Sequence, residues 1–233
     1  MVFRSLAVVA VCAGVAHADE AYISARLPGG PDAAAPGMGA TVEGGWGGAR
    51  AEALGAVSAE ALLYGRITAR ATVGYDVGKA RPSASLSYVF LDPYRHAIGL
   101  LVGMAVKTEG LTEPEGEIEG TVAVSRRIGD GLLSGSLTFG GDPDLHEHDG
   151  EAALALMQPV AARTALGGVA RARSGLGSTT DLGANWDALT GAVARTQLGA
   201  YTLTAIGGVD AIGAVTGGTK VGALATLAVG AWW

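Results

Sequence analysis

The chain has 233 residues, with 16 Lys and Arg against 22 Asp and Glu for a formal net charge of −6, 38 glycines, one cysteine and a mean hydropathy of +0.33. The acidic balance excludes the basic face that nucleic acid requires, and a lone cysteine excludes disulfide frameworks and cysteine-built metal centres. Past residue 18 no apolar run is long enough for a membrane helix, so the hydropathy belongs either to a large soluble β core or to a barrel whose apolar residues alternate outward into lipid.

Residues 1–18 read as a secretory signal peptide: Arg4 supplies the positive start, Leu6 to Val15 the apolar core, and Ala16-His17-Ala18 the cleavage site. Cys12 lies inside this leader and follows Val11, where a lipid-anchored chain would carry a small residue. Residues 19–36, with Pro28, Pro31 and Pro36, read as an irregular periplasmic lead-in.

From Gly37 to the end the pattern has period two, which predicts an all-β chain. The clearest segment sets Ile67, Ala69, Ala71, Val73, Tyr75 and Val77 against Arg66, Thr68, Arg70, Thr72, Gly74 and Asp76. Ser83, Ser85 and Ser87 likewise oppose Ala84, Leu86, Tyr88 and Phe90, and Glu117, Glu119 and Thr121 oppose Ile118 and Val122. Twelve strands are predicted, with ten or fourteen left open: 37–46, 49–62, 65–77, 81–91, 96–107, 115–126, 131–140, 150–158, 162–173, 182–194, 198–209 and 219–233. The second is rich in Ala, Glu and Leu, which favour helix, but Arg50, Glu52, Ser58 and Glu60 keep to one alternating face. The longer connections, Thr108–Pro114, Gly141–Asp149, Ser174–Asp181 and Asp210–Gly218, all fall at the same end of the strands, and the aromatics cluster near strand ends.

The closing stretch, Thr219 to Trp233, puts Val221, Ala223, Ala225, Leu227, Val229, Ala231 and Trp233 on one face and ends on an aromatic. It resembles the closing strand of bacterial outer-membrane β-barrels. That resemblance implies a transmembrane antiparallel up-and-down barrel of about twelve strands over 37–233, integral to the outer membrane of a Gram-negative bacterium. The partners it implies are outer-membrane lipid, lipopolysaccharide and the barrel-assembly machinery, with no cofactor.

The inward face would then carry Arg66, Arg70, Glu117, Glu119, Arg163, Arg171 and Arg173, among other charges. Two readings follow: a water-filled pore whose charges bias ion passage, or a closed lumen filled by a salt-bridge lattice. Small inward residues, Gly99, Gly103, Ala105, Ala153, Ala155, Gly167 and Gly191, leave volume unfilled and favour the pore, and Arg163, Arg171 and Arg173 form a candidate anion-attracting stripe. The loop from Gly141 to Glu151 gathers Asp142, Asp144, His146, His148 and Asp149, whose imidazoles and carboxylates could hold a divalent cation, or could simply be a solvated acidic loop. Of the histidines past the leader, His96 adjoins a turn and His146 and His148 lie in that loop, so none is predicted on a strand face where it could activate a nucleophile. The expectation is a passive pore for small hydrophilic solutes or ions; the alternative is a closed barrel with a structural or surface-binding role through its loops, and a barrel-rim hydrolase, with His146 brought over the rim near Asp187, comes third.

Overall fold

The computed structural model describes residues 37–63, 66–76, 79–93, 95–108, 116–141, 148–175, 185–214 and 217–233. The signal peptide and lead-in expected over 1–36 lie outside the described residues. Twelve strands form: β1 Gly37–Gly47, β2 Glu52–Leu63, β3 Ile67–Asp76, β4 Lys79–Leu91, β5 Gly99–Thr108, β6 Gly116–Ile128, β7 Gly131–Gly141, β8 His148–Ala161, β9 Thr164–Gly175, β10 Asn185–Leu198, β11 Tyr201–Ala214 and β12 Lys220–Trp232. Each pairs antiparallel with its sequence neighbours, and β1 pairs with β12, so the sheet closes and no edge is left. The seam is tight to the last residue: Met38 and Trp233 exchange both backbone hydrogen bonds at 3.0 Å.

β2 is a strand despite its helix-favouring composition, because Ser58, Glu60 and Leu62 are buried while Val57 and Leu63 face outward. A helix would put polar and apolar residues on mixed faces, whereas the pleat sorts them.

The connections at the two ends of the barrel differ. The strand ends that flank 109–115, 142–147, 176–184 and 215–219 lie at one end, with those flanking the short links 48–51 and 77–78, opposite the two-residue turns at 129–130, 162–163 and 199–200 and the seven-residue connection between Leu91 and Gly99. Gly129 (φ 61°) and Gly199 (φ 65°) take the left-handed first position of two of these turns, where the twist of a tight hairpin requires positive φ.

The outer wall is apolar. Val42, Val57, Val73, Leu86, Met104, Val122, Leu137, Leu154, Val209, Leu227 and Val229 are all exposed on it, a band no water-facing sheet would keep. Aromatics border the band at both ends, with Trp46, Tyr75 and Phe139 near the long-loop end and Tyr88, Phe90, Tyr201 and Trp233 near the tight-turn end. Tyr88 and Phe90 meet edge to face with centroids 4.7 Å apart.

Candidate functional site

The candidate functional surface is the inner wall, and the register decides what shares it. Because the strands are staggered, residues opposite one another form rows that climb around the barrel. One such row runs Glu60, Arg70, Ser85, Ala105, Glu119, Gly140, Asp149 and Gly175 across β2 to β9. A second runs Gly103, Thr121, Thr138, Glu151, Arg173 and Asp187 across β5 to β10.

Near the long-loop end these rows join in a network of buried charges. Lys107 Nζ lies 3.2 Å from Glu117 Oε2 and also pairs with Glu119 Oε1. Arg173 donates to Asp149 Oδ2 from Nε at 2.7 Å and lies 2.6 Å from it through Nη2, and its Nη1 lies 3.9 Å from Asp187. Arg171 pairs with Asp187 Oδ1 and stands 3.7 Å from Glu151. Five carboxylates thus face three cations in a region where the Lys107, Glu119 and Arg171 side chains are almost wholly hidden from solvent. Arg70 sits apart, opposite Glu60, with its Nη2 donating to Ser58 Oγ at 3.1 Å.

Between the charges the β3–β7 arc is faced by small hydroxyls. Thr68, Thr72, Ser83, Thr121, Ser125, Ser134 and Thr138 point inward, and Thr121 and Thr138 are hydrogen-bonded at 2.9 Å. The facing arc is different. A third row, Met157, Gly167, Val193, Ile206, Thr226, Gly45 and Leu54, links β8 to β2 through β12 and β1. Its apolar members, with Leu189, Val169 and Leu224, form one buried cluster inside the barrel. A smaller cluster, Leu101 and Ala123 with Val89, lies on β4 to β6.

Several sequence expectations change here. Arg66 and Arg163 are exposed in the β2–β3 and β8–β9 turns, because β3 and β9 begin one residue later, at Ile67 and Thr164; they stand at the rim and not on the wall. The arginine stripe is therefore reduced to Arg171 and Arg173, and both are held by Asp149, Glu151 and Asp187. The space expected beside Gly167 is occupied: a Cβ there would come within 2.5 Å of the Met157 sulfur. Asp142, Asp144 and His146 lie outside the described residues. His148 and Asp149 belong to β8, which runs two residues further than the alternation suggests because the ladder with Gly140 and Gly141 continues. His148 is exposed on the outer face and Asp149 points inward, so the two do not share a site.

Sequence reasoning missed the apolar cluster, since Leu54, Met157, Val169, Leu189, Val193, Ile206 and Leu224 lie on six different strands, and the parity of each strand does not show that they meet. It also missed that Asp149 joins Glu117 and Glu119. The signal was present: Asp149, Glu151, Ala153 and Ala155 keep one parity straight through the expected loop boundary.

No family model and no curated protein matches the chain. In structure it is similar to the NanC porin, with a TM-score of 0.62 at 9% identity, over 83% of this chain and 99% of that one. It is also similar to the COG4313 outer membrane channel from Pseudomonas putida F1, with a TM-score of 0.57 at 11% identity, over 87% of this chain and 98% of that one. The shared feature is the fold, a closed antiparallel barrel of the kind found in bacterial outer membranes.

Proposed function

We propose that the chain is an integral outer-membrane barrel that passes small hydrophilic solutes or ions through its lumen, with no chemical step. The observation that carries this reading is the sorting of the wall over β3 to β7, where Thr68, Thr72, Ser83, Thr121, Ser125, Ser134 and Thr138 face inward behind a surface that is apolar outside, as around an aqueous lumen. The likeness to a porin and to an outer membrane channel supports it. Its apolar band and aromatic borders fit outer-membrane lipid and lipopolysaccharide as the surrounding partners, and insertion by the barrel-assembly machinery goes with that location.

The test is single-channel recording of refolded protein in a planar bilayer, after heat-modifiable gel mobility has established a folded barrel. Discrete steps whose size follows salt concentration are expected; silence from folded protein overturns the reading.

A second reading is favoured by one observation, the apolar row from Met157 to Leu54 inside the lumen. Side chains that bury one another there fill space that a pore needs, and a barrel closed by them would serve through its loops. Replacing Val193 and Ile206 together by alanine distinguishes the readings: it raises conductance from zero if the row is a plug, and only modestly if solute already passes along the hydroxyl arc.

A further inference from the structure

Glu117, Glu119 and Asp149 come from β6 and β8 and meet near the long-loop mouth of the barrel. One carboxylate oxygen of each lies within 4.8 Å of the others. That is the span of two oxygens on opposite sides of a calcium ion, each at about 2.4 Å from it.

The arrangement is more than a group of acids, because each carboxylate turns one oxygen to a cation and the other elsewhere. Glu117 gives Oε2 to Lys107, Glu119 gives Oε1 to Lys107, and Asp149 gives Oδ2 to Arg173. The remaining oxygens are Glu117 Oε1, Glu119 Oε2 and Asp149 Oδ1. Glu119 has a side chain only 1% exposed, yet among the described residues its Oε2 accepts no hydrogen bond, a costly state for a buried carboxyl group. The other two converge over Gly140, which sits in the row directly between Glu119 and Asp149. A Cβ on that residue would overlap Glu117 Oε1 and come within 2.5 Å of Asp149 Oδ1. The missing side chain is what lets carboxylates from two strands reach the same space across the strand between them.

We propose that Glu117, Glu119 and Asp149 bind one hard divalent cation, calcium in type, at the mouth of the lumen. An all-oxygen, anionic donor set suits calcium and offers nothing to a metal that prefers nitrogen or sulfur. The ion supplies the partner that Glu119 Oε2 lacks and offsets the excess of carboxylates over Lys107, Arg171 and Arg173. The proposal does not rest on the pore reading, since binding and conductance are measured separately.

The experiment is calorimetric titration of calcium chloride into the full barrel refolded in non-ionic detergent free of lipopolysaccharide. Expected is one ion per chain, with binding weakened at least tenfold in Glu119→Gln, which keeps the shape and removes the charge, and in Gly140→Ala, which fills the cradle. Asp149→Asn provides a third variant, and each is titrated only after heat-modifiable mobility shows that it folds. His148→Ala, on the outer face, should bind as the unaltered protein does. No binding by the unaltered barrel, or binding undiminished in a folded Glu119, Gly140 or Asp149 variant, overturns the proposal; loss of binding in His148→Ala alone would move the site to the loop and overturn it equally.

Discussion

In the row from Met157 to Leu54 the interior is organised by volume: large apolar side chains alternate with Gly167 and Gly45, and Met157 lies over the glycine beside it. In the row from Thr138 to Asp187 it is organised by charge, with Glu151, Arg173 and Asp187 in succession and Arg171 bound alongside. The two rows wind through one barrel and share strands β8 to β10, yet they should fail differently. Apolar packing is non-directional, so its losses are graded by the volume removed. Buried ion pairs are not graded, because deleting one partner leaves the other charged and unsolvated.

The sharpest break of this comparison is Arg171→Ala. It removes the cation paired with Glu151 and the nearer of the two paired with Asp187, and equilibrium unfolding in urea should show a loss of about 3–5 kcal/mol. Ile206→Ala, at the centre of the apolar row, should cost about 2–4 kcal/mol by the same measurement, and the loss should shrink if neighbours collapse into the space. A loss from Ile206→Ala exceeding that from Arg171→Ala would show that the charged row is less buried in solution than its geometry indicates. Next comes Asp210, hidden beneath β12, whose two carboxylate oxygens each accept from Ala49 N at 3.1 Å and so hold the β1–β2 turn inward. Asp210→Ala should cost about 1–3 kcal/mol, and faster proteolysis at the turn would check that the tether, and not general stability, was lost. The smallest effect is expected from Thr121→Val, which breaks the hydroxyl pair with Thr138 for about 1 kcal/mol or less, since the pair lies in the polar arc between the two regimes.

Much of the barrel is legible in the residues. The alternation at 66–77 and 219–233 fixes which side chains face out, and the aromatics mark both ends of the apolar band. The candidate site is legible only in part. Glu117, Glu119, Arg171 and Arg173 are placed on the inner wall by parity alone, whereas Arg66 and Arg163 carry the correct parity but fall in turns, because alternation does not announce where pairing stops. His148 and Asp149 look alike in a loop rich in acids and separate only once β8 is seen to begin at His148.

By itself, then, the sequence determined the class of fold, a strand number close to twelve and the two faces of each strand, since successive side chains of an extended chain point to opposite sides whatever lies next to them. The tertiary structure alone decided which inward residues meet. Glu119 reaches Asp149 across Gly140, and Leu54 of β2 joins Val193 of β10, through register and closure. Those are properties of neighbouring strands taken together, and a two-residue period within one strand is the same for every register that keeps its apolar face on the same side.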